Sequence, residues 1–122
     1  MQNLASHLSV SIRNGRILRR ATIPAELHES AKLMARSRSI SIGELYDEAV
    51  SELIDQTQKE AVNYIRVPRK NNPPKKSFWL SADLSAQAKM TAARDHISEH
   101  EFILTAILQF AQKHNFAYGH KA

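Results

Sequence analysis

Residues 17–55, ILRRATIPAELHESAKLMARSRSISIGELYDEAVSELID, decide how this chain is organised. A short basic segment ending at a proline precedes two helical patterns joined by a serine-rich turn. The stretch matches the chain again without a gap, since Leu27 aligns with Leu84 (84 − 27 = 57) and Glu44 with Glu101 (101 − 44 = 57). An ungapped repeat indicates one supersecondary unit used twice. The sequence therefore predicts two strand–helix–helix units.

The strand of each unit is predicted from alternation. Side chains in a strand point to opposite faces in turn, so one set should be buried and the other should face outward. The set expected to face the core is Ala21, Ile23, Phe78 and Leu80. The set expected on the outer face is Leu18, Arg20, Thr22, Lys75, Ser77 and Trp79.

The helices are predicted from apolar spacing and from their first residues. Ser41 with Glu44, and Ser98 with Glu101, have the spacing of a capping box, in which each side chain bonds the other residue's backbone amide. The last predicted helix is apolar on nearly all sides, which is typical of a helix covered on most sides. The predicted fold class is mainly α, with two short strands pairing as an antiparallel ribbon over a four-helix core.

The expected organisation has five parts. They are a flexible basic arm at 1–16, a first unit at 17–56, a Pro-rich basic linker at 57–74, a second unit at 75–114, and a tail at 115–122. Within the arm, residues 9–12 alternate weakly, so a short strand is possible there. In the tail, Phe116 and Tyr118 are the residues expected to dock if the tail packs at all.

Composition and charge favour a polyanionic partner. The chain has 122 residues, no cysteine and a net charge of +5. Residues 1–24 carry four arginines and no acid, and residues 57–81 carry six basic residues against one glutamate. Clustered basic residues of this kind are typical of nucleic-acid binding. Without cysteine, disulfides, cysteine-ligated metals and a thiol nucleophile are excluded. No leader and no membrane-spanning run stands out, so a cytoplasmic protein is expected.

Enzyme function is not expected. The segment His96-Ile-Ser-Glu-His100 fits the H-x-x-E-H pattern of zinc proteases, which requires both histidines on one helix. Ser98 aligns with Ser41 at a turn between helices, so that geometry fails. The three glycines lie far apart and form no phosphate-binding loop. Neither a metal nor a cofactor is predicted.

PAEL at 24–27 and SIGELYDEAV at 41–50 resemble the ribbon-helix-helix DNA-binding family of the Arc, MetJ and CopG type. The residues that match its frame are Ser41, Glu44, Leu45 and Ala49, and more loosely Ser98, Glu101, Phe102 and Ala106. The chain departs from the family at Ser39 and His96, where glycine is frequent, and at Ser81, where proline is usual. Two units in one chain are similar in layout to the TraY-like relaxosome proteins of conjugative plasmids.

The resemblance implies sequence-specific binding of double-stranded DNA, with the ribbon inserted into the major groove. The six residues of the outer strand set would read base edges. The residues expected at phosphates are Ser41, Ile42, Gly43, Ser98, Glu99, Arg13, Arg16, Arg69 and Lys70. The implied role is transcriptional repression or regulation, or an accessory role in plasmid transfer.

Two other functions stay open at this point. One is an antitoxin that binds a toxin and regulates its own operon, and the other is a helical interaction module that does not bind DNA. Relaxosome proteins, a toxin and further copies of this chain remain candidate partners beside double-stranded DNA, and no membrane is expected. Whether the strands pair within one chain or between chains is also left open.

Overall fold

A computed structural model describes residues 12–67 and 75–116. The elements run, in chain order, β1 (Ile12–Arg13), β2 (Arg16–Thr22), α1 (Ala25–Ser37), α2 (Ile42–Thr57), β3 (Lys75–Ser81), α3 (Ala82–Arg94) and α4 (Glu99–Lys113). The predicted fold class is confirmed at the level of a mainly helical chain with a short antiparallel sheet. The order strand–helix–helix occurs twice, as β2-α1-α2 and β3-α3-α4.

The sheet is centred on β2, which lies between β1 and β3 and is antiparallel to both. In the β2–β3 pair, Arg20 lies opposite Ser77. Ser77 is also the repeat counterpart of Arg20 (77 − 20 = 57). A residue paired with its own counterpart marks a pseudo-two-fold axis, which therefore passes between Arg20 and Ser77. Both strands of the ribbon belong to one chain.

Residues 12–16 form the hairpin from β1 to the start of β2. The expectation of a flexible arm at 1–16 is therefore wrong for these five residues. Asn14 and Gly15 join the two strands with φ angles of 53° and 75°. Two consecutive residues in the left-handed region form the turn whose twist matches a two-residue hairpin, and Asn-Gly is its preferred sequence. The Gly15 carbonyl oxygen also accepts from the amide of Ala82 at 2.9 Å, so the hairpin caps the start of α3. The residues before Ile12 lie outside the described part.

The helices of the two units interlock over the ribbon. Helix α2 packs against β3, and α4 packs against β2, so the second helix of each unit covers the strand of the other unit. The four strand residues expected to face the core, Ala21, Ile23, Phe78 and Leu80, are all buried. Helix α4 is buried on nearly all sides, as its composition predicts. Because each unit needs the other to bury its strand, neither has a complete core alone.

Both predicted capping boxes are present. The Ser41 hydroxyl accepts from the amide of Glu44 at 3.0 Å, and the Glu44 carboxylate accepts from the amide of Ser41 at 2.9 Å. Ser98 and Glu101 make the same pair of bonds at 3.1 and 3.2 Å. The turns before them contain Ser39 and His96 with φ angles of 58° and 60°. Glycine adopts this left-handed conformation without strain, whereas serine and histidine adopt it at a cost.

The first half of the predicted linker is anchored on α4. The amide of Ile65 donates to the hydroxyl of Thr105 at 2.8 Å, and the ring of Tyr64 lies 5.9 Å from that of Phe102. Residues 58–67 are therefore part of the packed structure, while 68–74 are outside the described part. In the tail, Phe116 packs edge-on against Phe110, and Tyr118 lies outside the described residues.

Candidate nucleic-acid interface

The outer face of the ribbon brings the six predicted reading residues together. The β2–β3 register opposes them as three cross-strand pairs, which are Leu18 with Trp79, Arg20 with Ser77, and Thr22 with Lys75. Arg20, Ser77 and Lys75 are exposed, Leu18 is 42% exposed, and Trp79 is half-buried. Thr22 departs from the expectation, because only 9% of its surface is accessible. Thr22 is thus poorly placed to meet a ligand.

The dimensions of this face follow from strand geometry. Residues two apart in a strand lie about 6.8 Å from one another, so three on each strand span about 14 Å. Opposed side chains lie about 5 Å apart at their Cβ atoms. The reverse face of the ribbon is fixed in the core by Ala21 and Phe78, both buried. A one-residue slip would expose the core set, so this register is strongly specified.

The two ends of the outer face differ in chemistry. By the repeat, Leu18 corresponds to Lys75 (75 − 18 = 57) and Thr22 to Trp79 (79 − 22 = 57). Because the strands are antiparallel, Leu18 and Trp79 meet at one end and Thr22 and Lys75 at the other. One end is therefore apolar and the other is polar and cationic, with Arg20 at the centre. A ligand on this face is contacted asymmetrically.

Helix α2 begins directly beside the ribbon. A Cβ atom on Gly43 would lie 2.0 Å from the carbonyl oxygen of Trp79, so only glycine permits this approach. The first amides of a helix have no acceptor within it, which leaves that of the half-buried Ile42 at the edge of the ribbon. Gly43, an expected phosphate contact, is buried and therefore poorly placed to meet a ligand. The Ser41 hydroxyl is already bonded to the amide of Glu44. The amide of Ser41 in turn lowers the pKa of Glu44, whose carboxylate therefore stays charged at this end.

The start of α4 is more acidic. The Glu99 carboxylate forms an ion pair with Arg19 of β2, and Glu101 lies two residues further along. An anion there would meet two carboxylates, each of them paired with an arginine, Glu99 with Arg19 and Glu101 with Arg66. The expected phosphate contacts at Ser98 and Glu99 stay predictions, as do those at the start of α2.

Arg16, an expected phosphate contact, is held within the fold. Its guanidinium donates to the carbonyl oxygen of Trp79 at 2.9 Å and to the Asp47 carboxylate at 2.6 Å. Asp47 also accepts from the amide of Ser81 at 2.9 Å. These contacts make Arg16 a link between α2 and both ribbon strands rather than a side chain pointing to solvent. The side chain of Arg13, together with Arg69 and Lys70, lies outside the described part.

Sequence reasoning did not find Asp47 as the residue that organises this edge. Asp47 is 31 residues from Arg16 and 34 from Ser81, so no local pattern indicates the contacts. The only available signal was its place in an acidic run outside the apolar stripe of α2. Gly43 was predicted as a phosphate contact through its amide. Its close approach to the backbone of Trp79 was not predicted.

Metal and membrane sites find no support in the described residues. Within 12–67 and 75–116, no group of three or more metal-ligating side chains comes together. His96 lies in the turn before α4 while His100 lies in its first turn, so the two do not share a helix. None of the helices in the described part has the length and hydropathy needed to cross a bilayer.

Comparisons of the chain with protein-family models, with curated proteins and with solved structures found no match. The function of the chain is therefore inferred from the geometry of the ribbon face and from the residues around it.

Proposed function

We propose that this chain is a sequence-specific double-stranded DNA-binding protein in which two ribbon-helix-helix units are joined in tandem. The observation that carries the proposal is the β2–β3 register, which opposes the six outer residues in three pairs. The reverse face is buried, so five of these side chains, all except Thr22, are the surface that the ribbon offers. A two-stranded ribbon of this size fits the major groove, which is about 12 Å wide.

Arg20 is the central reading residue of the proposal. It is exposed and lies beside the pseudo-two-fold axis, opposite the small side chain of Ser77. A guanidinium can donate two hydrogen bonds to the O6 and N7 atoms of guanine, a contact worth about 1–3 kcal/mol of discrimination. Lysine would keep the charge at this position but not the planar fork.

The ends of the ribbon would read different bases. Leu18 and Trp79 offer apolar surface suited to a thymine methyl group, and Lys75 offers a cation suited to a guanine edge. The DNA site should therefore have no two-fold symmetry across its central base pair. The amide of Ile42 at the start of α2 would hold a backbone phosphate beside the apolar end.

The biological role proposed for this binding is transcriptional regulation or an accessory function in plasmid transfer. Both need a protein that recognises one duplex sequence, and the resemblance to the ribbon-helix-helix family supports both. A helical interaction module is the contrasting function. It would show no preference among duplexes, even though the net charge of +5 would still give weak, salt-sensitive attraction.

The test begins by selecting bound duplexes from a random library with the wild-type chain. Fluorescence anisotropy then compares the selected duplex with a scrambled one across a salt series. We expect Arg20→Lys to lower affinity for the selected duplex by about tenfold or more, since about 1.4 kcal/mol corresponds to tenfold. Affinity for the scrambled duplex should be unchanged, because the charge is kept.

The matched control is Lys89→Ala, which removes one positive charge from an exposed position on α3. It should affect both duplexes alike and only slightly. Selection that enriches no sequence, or an Arg20→Lys variant with wild-type preference, would contradict readout by the ribbon.

A further inference from the structure

The carboxylate of Asp47 holds the backbone of β3 on both sides of Leu80. One oxygen accepts from the amide of Ser81 at 2.9 Å. The other accepts from the guanidinium of Arg16, which donates in turn to the carbonyl oxygen of Trp79 at 2.9 Å. Trp79 and Ser81 are two residues apart, so one side chain of α2 fixes the strand at both positions. We call this set of contacts the Asp47 clamp.

The contact between Asp47 and Ser81 has no equivalent at the other end of the ribbon, at positions that the structure describes. The repeat counterpart of Asp47 is Leu104 (104 − 47 = 57), and that of Ser81 is Pro24 (81 − 24 = 57). Leucine has no acceptor and proline has no amide hydrogen, so acceptor and donor are absent together. The backbone is alike at the two positions, with φ and ψ of −53° and 137° at Pro24 and of −50° and 131° at Ser81. Serine in place of the usual proline therefore requires an acceptor, which Asp47 supplies.

The clamp also decides how the positive charge of Arg16 is used. Arg16 lies opposite Ser81 at one end of the β2–β3 pair, and its side chain is 27% exposed. An unpaired guanidinium at the edge of a ribbon in the major groove can contact a backbone phosphate, which adds affinity for every sequence alike. Paired with Asp47, Arg16 instead holds the carbonyl oxygen of Trp79. Asp47 thus removes one sequence-independent contact and fixes the backbone at the apolar end.

We propose that Asp47 is a positioning residue that determines specificity at the apolar end of the ribbon, because it directs Arg16 to the backbone of Trp79 and away from phosphate. The inference rests on the proposed function, since it concerns how the same ribbon reads DNA. A side chain that discriminates between bases must be held to about 0.5 Å by the groups around it. Asp47 touches no base in this arrangement and acts through the strand that carries Trp79.

The first experiment uses Asp47→Asn, which keeps the size of the side chain and one acceptor for Ser81 but not the charge that pairs with Arg16. Anisotropy titrations compare the selected duplex, the same duplex with uracil for thymine at the apolar end, and the scrambled duplex. We expect the preference for thymine to fall from a few-fold to near one. Affinity for the scrambled duplex should rise, and the slope of log K against log salt should steepen by about 0.9, the value for one added phosphate contact. A residue that only stabilised the fold would weaken binding to all three duplexes.

The matched control is Arg16→Ala, which removes the same hold on Trp79 but releases no cation. It should lose the preference for thymine without gaining affinity for the scrambled duplex. The double variant with Asp47→Asn should likewise show no steeper salt dependence than wild type. The proposal is overturned if Asp47→Asn keeps the preference for thymine or the wild-type salt slope. It is also overturned if the double variant steepens equally, since the lost carboxylate alone would then explain the effect.

A second experiment copies the other unit and separates stability from readout. Asp47→Leu alone should lower the midpoint of urea denaturation, because the amide of Ser81 loses its acceptor. Adding Ser81→Pro should recover much of that loss, since the φ angle of −50° at Ser81 suits proline and the amide donor is removed. The recovered variant should still lack the preference for thymine, because Arg16 is no longer held by a carboxylate. If it regains that preference, Asp47 is structural only and the proposal fails. If wild type selects no duplex, the proposed function fails, while the urea series still decides whether the repeat exchanges Asp47 and Ser81 as a pair.

Discussion

Glu101 provides the sharpest test of how the two units are joined. The residue is 7% exposed, and its carboxylate accepts hydrogen bonds at both oxygens. One oxygen accepts from the amide of Ser98 at 3.2 Å, which completes the capping box of α4. The other accepts from the amide of Val67 at 3.0 Å and from the guanidinium of Arg66 at 3.1 Å. One carboxylate thus caps a helix and anchors the segment between the units.

Replacing the carboxylate by an amide, as in Glu101→Gln, removes this double role. The glutamine can keep one acceptor for Ser98, but its NH₂ group then faces the donors of Val67 and Arg66. Hydrogen bonds to a charged group contribute about 1.5–3 kcal/mol each, and a buried donor without an acceptor costs a similar amount. We expect the free energy of unfolding to fall by about 3 kcal/mol.

The matched control is Glu44→Gln at the counterpart position (101 − 44 = 57). Glu44 has the same capping-box bonds but is exposed and contacts no linker residue among those described. Urea denaturation of both variants should show a clearly larger loss for Glu101→Gln. Equal losses would refute the reasoning, because they would mean that only the cap matters and the contacts to Arg66 and Val67 contribute nothing.

The same residue sets a pH dependence. Burial by itself would raise the pKa of Glu101, but the hydrogen bonds from Val67, Ser98 and Arg66 outweigh it and lower the pKa to about 2. A group whose folded-state pKa is lowered stabilises the fold fully above its ordinary pKa of 4.5, and this contribution is lost as the pH falls toward 2. The difference in unfolding free energy between wild type and Glu101→Gln should therefore be constant near pH 7 and shrink below pH 4.5.

Three single contacts give further predictions. Replacing thymine by uracil at the base pair contacted by the apolar end should weaken binding of the selected duplex a few-fold, and Trp79→Ala should abolish that difference in anisotropy titrations. Gly43→Ala should lower the unfolding free energy by about 3 kcal/mol or more, because the new methyl group meets a backbone oxygen at 2.0 Å, whereas Gly15→Ala should cost about 1 kcal/mol for its left-handed φ. Tyr46→Phe should cost about 1–2 kcal/mol in urea denaturation, since the buried His28 loses its 2.8 Å hydrogen-bond partner.

Much of the fold is predictable because its signals are local. Alternation at Ala21 and Phe78 indicates the faces of the ribbon, and the three-residue spacing at Ser41 and Ser98 indicates the starts of two helices. The 57-residue offset then relates one unit to the other (84 − 27 = 57). Capping boxes and strand alternation depend on neighbouring residues only, so tertiary contacts seldom override them.

The hairpin is not predicted although its signal is present. Asn14-Gly15 is the sequence most typical of a two-residue hairpin, but β1 has only two residues and little alternation before it. The pattern of the first residues therefore favours a flexible arm, in which the weak alternation at residues 9–12 allows a short strand but indicates no partner for it. Alternation places Thr22 on the outer face of the ribbon. Its burial depends on the residues that pack around that end of the ribbon, and no local pattern predicts them.

The contacts that shape the candidate site join residues distant in sequence. The charge of Arg16 suggests a phosphate contact, but its actual partners, Asp47 and the carbonyl of Trp79, are 31 and 63 residues away. The same holds for Glu101 and the segment near Val67, 34 residues apart. Charge and composition do not identify the partner of such a residue, because several pairings are equally consistent with the sequence.

The pairing of β2 with β3 inside one chain changes how the molecule behaves on dilution. A ribbon built from two separate chains comes apart as the protein becomes scarce, and its melting temperature falls as the concentration falls. Here both halves of the ribbon belong to one chain, so forming the ribbon requires no second chain, and we expect a melting temperature that does not depend on concentration. If the proposed DNA binding holds, occupancy of a single site would rise with the first power of the protein concentration.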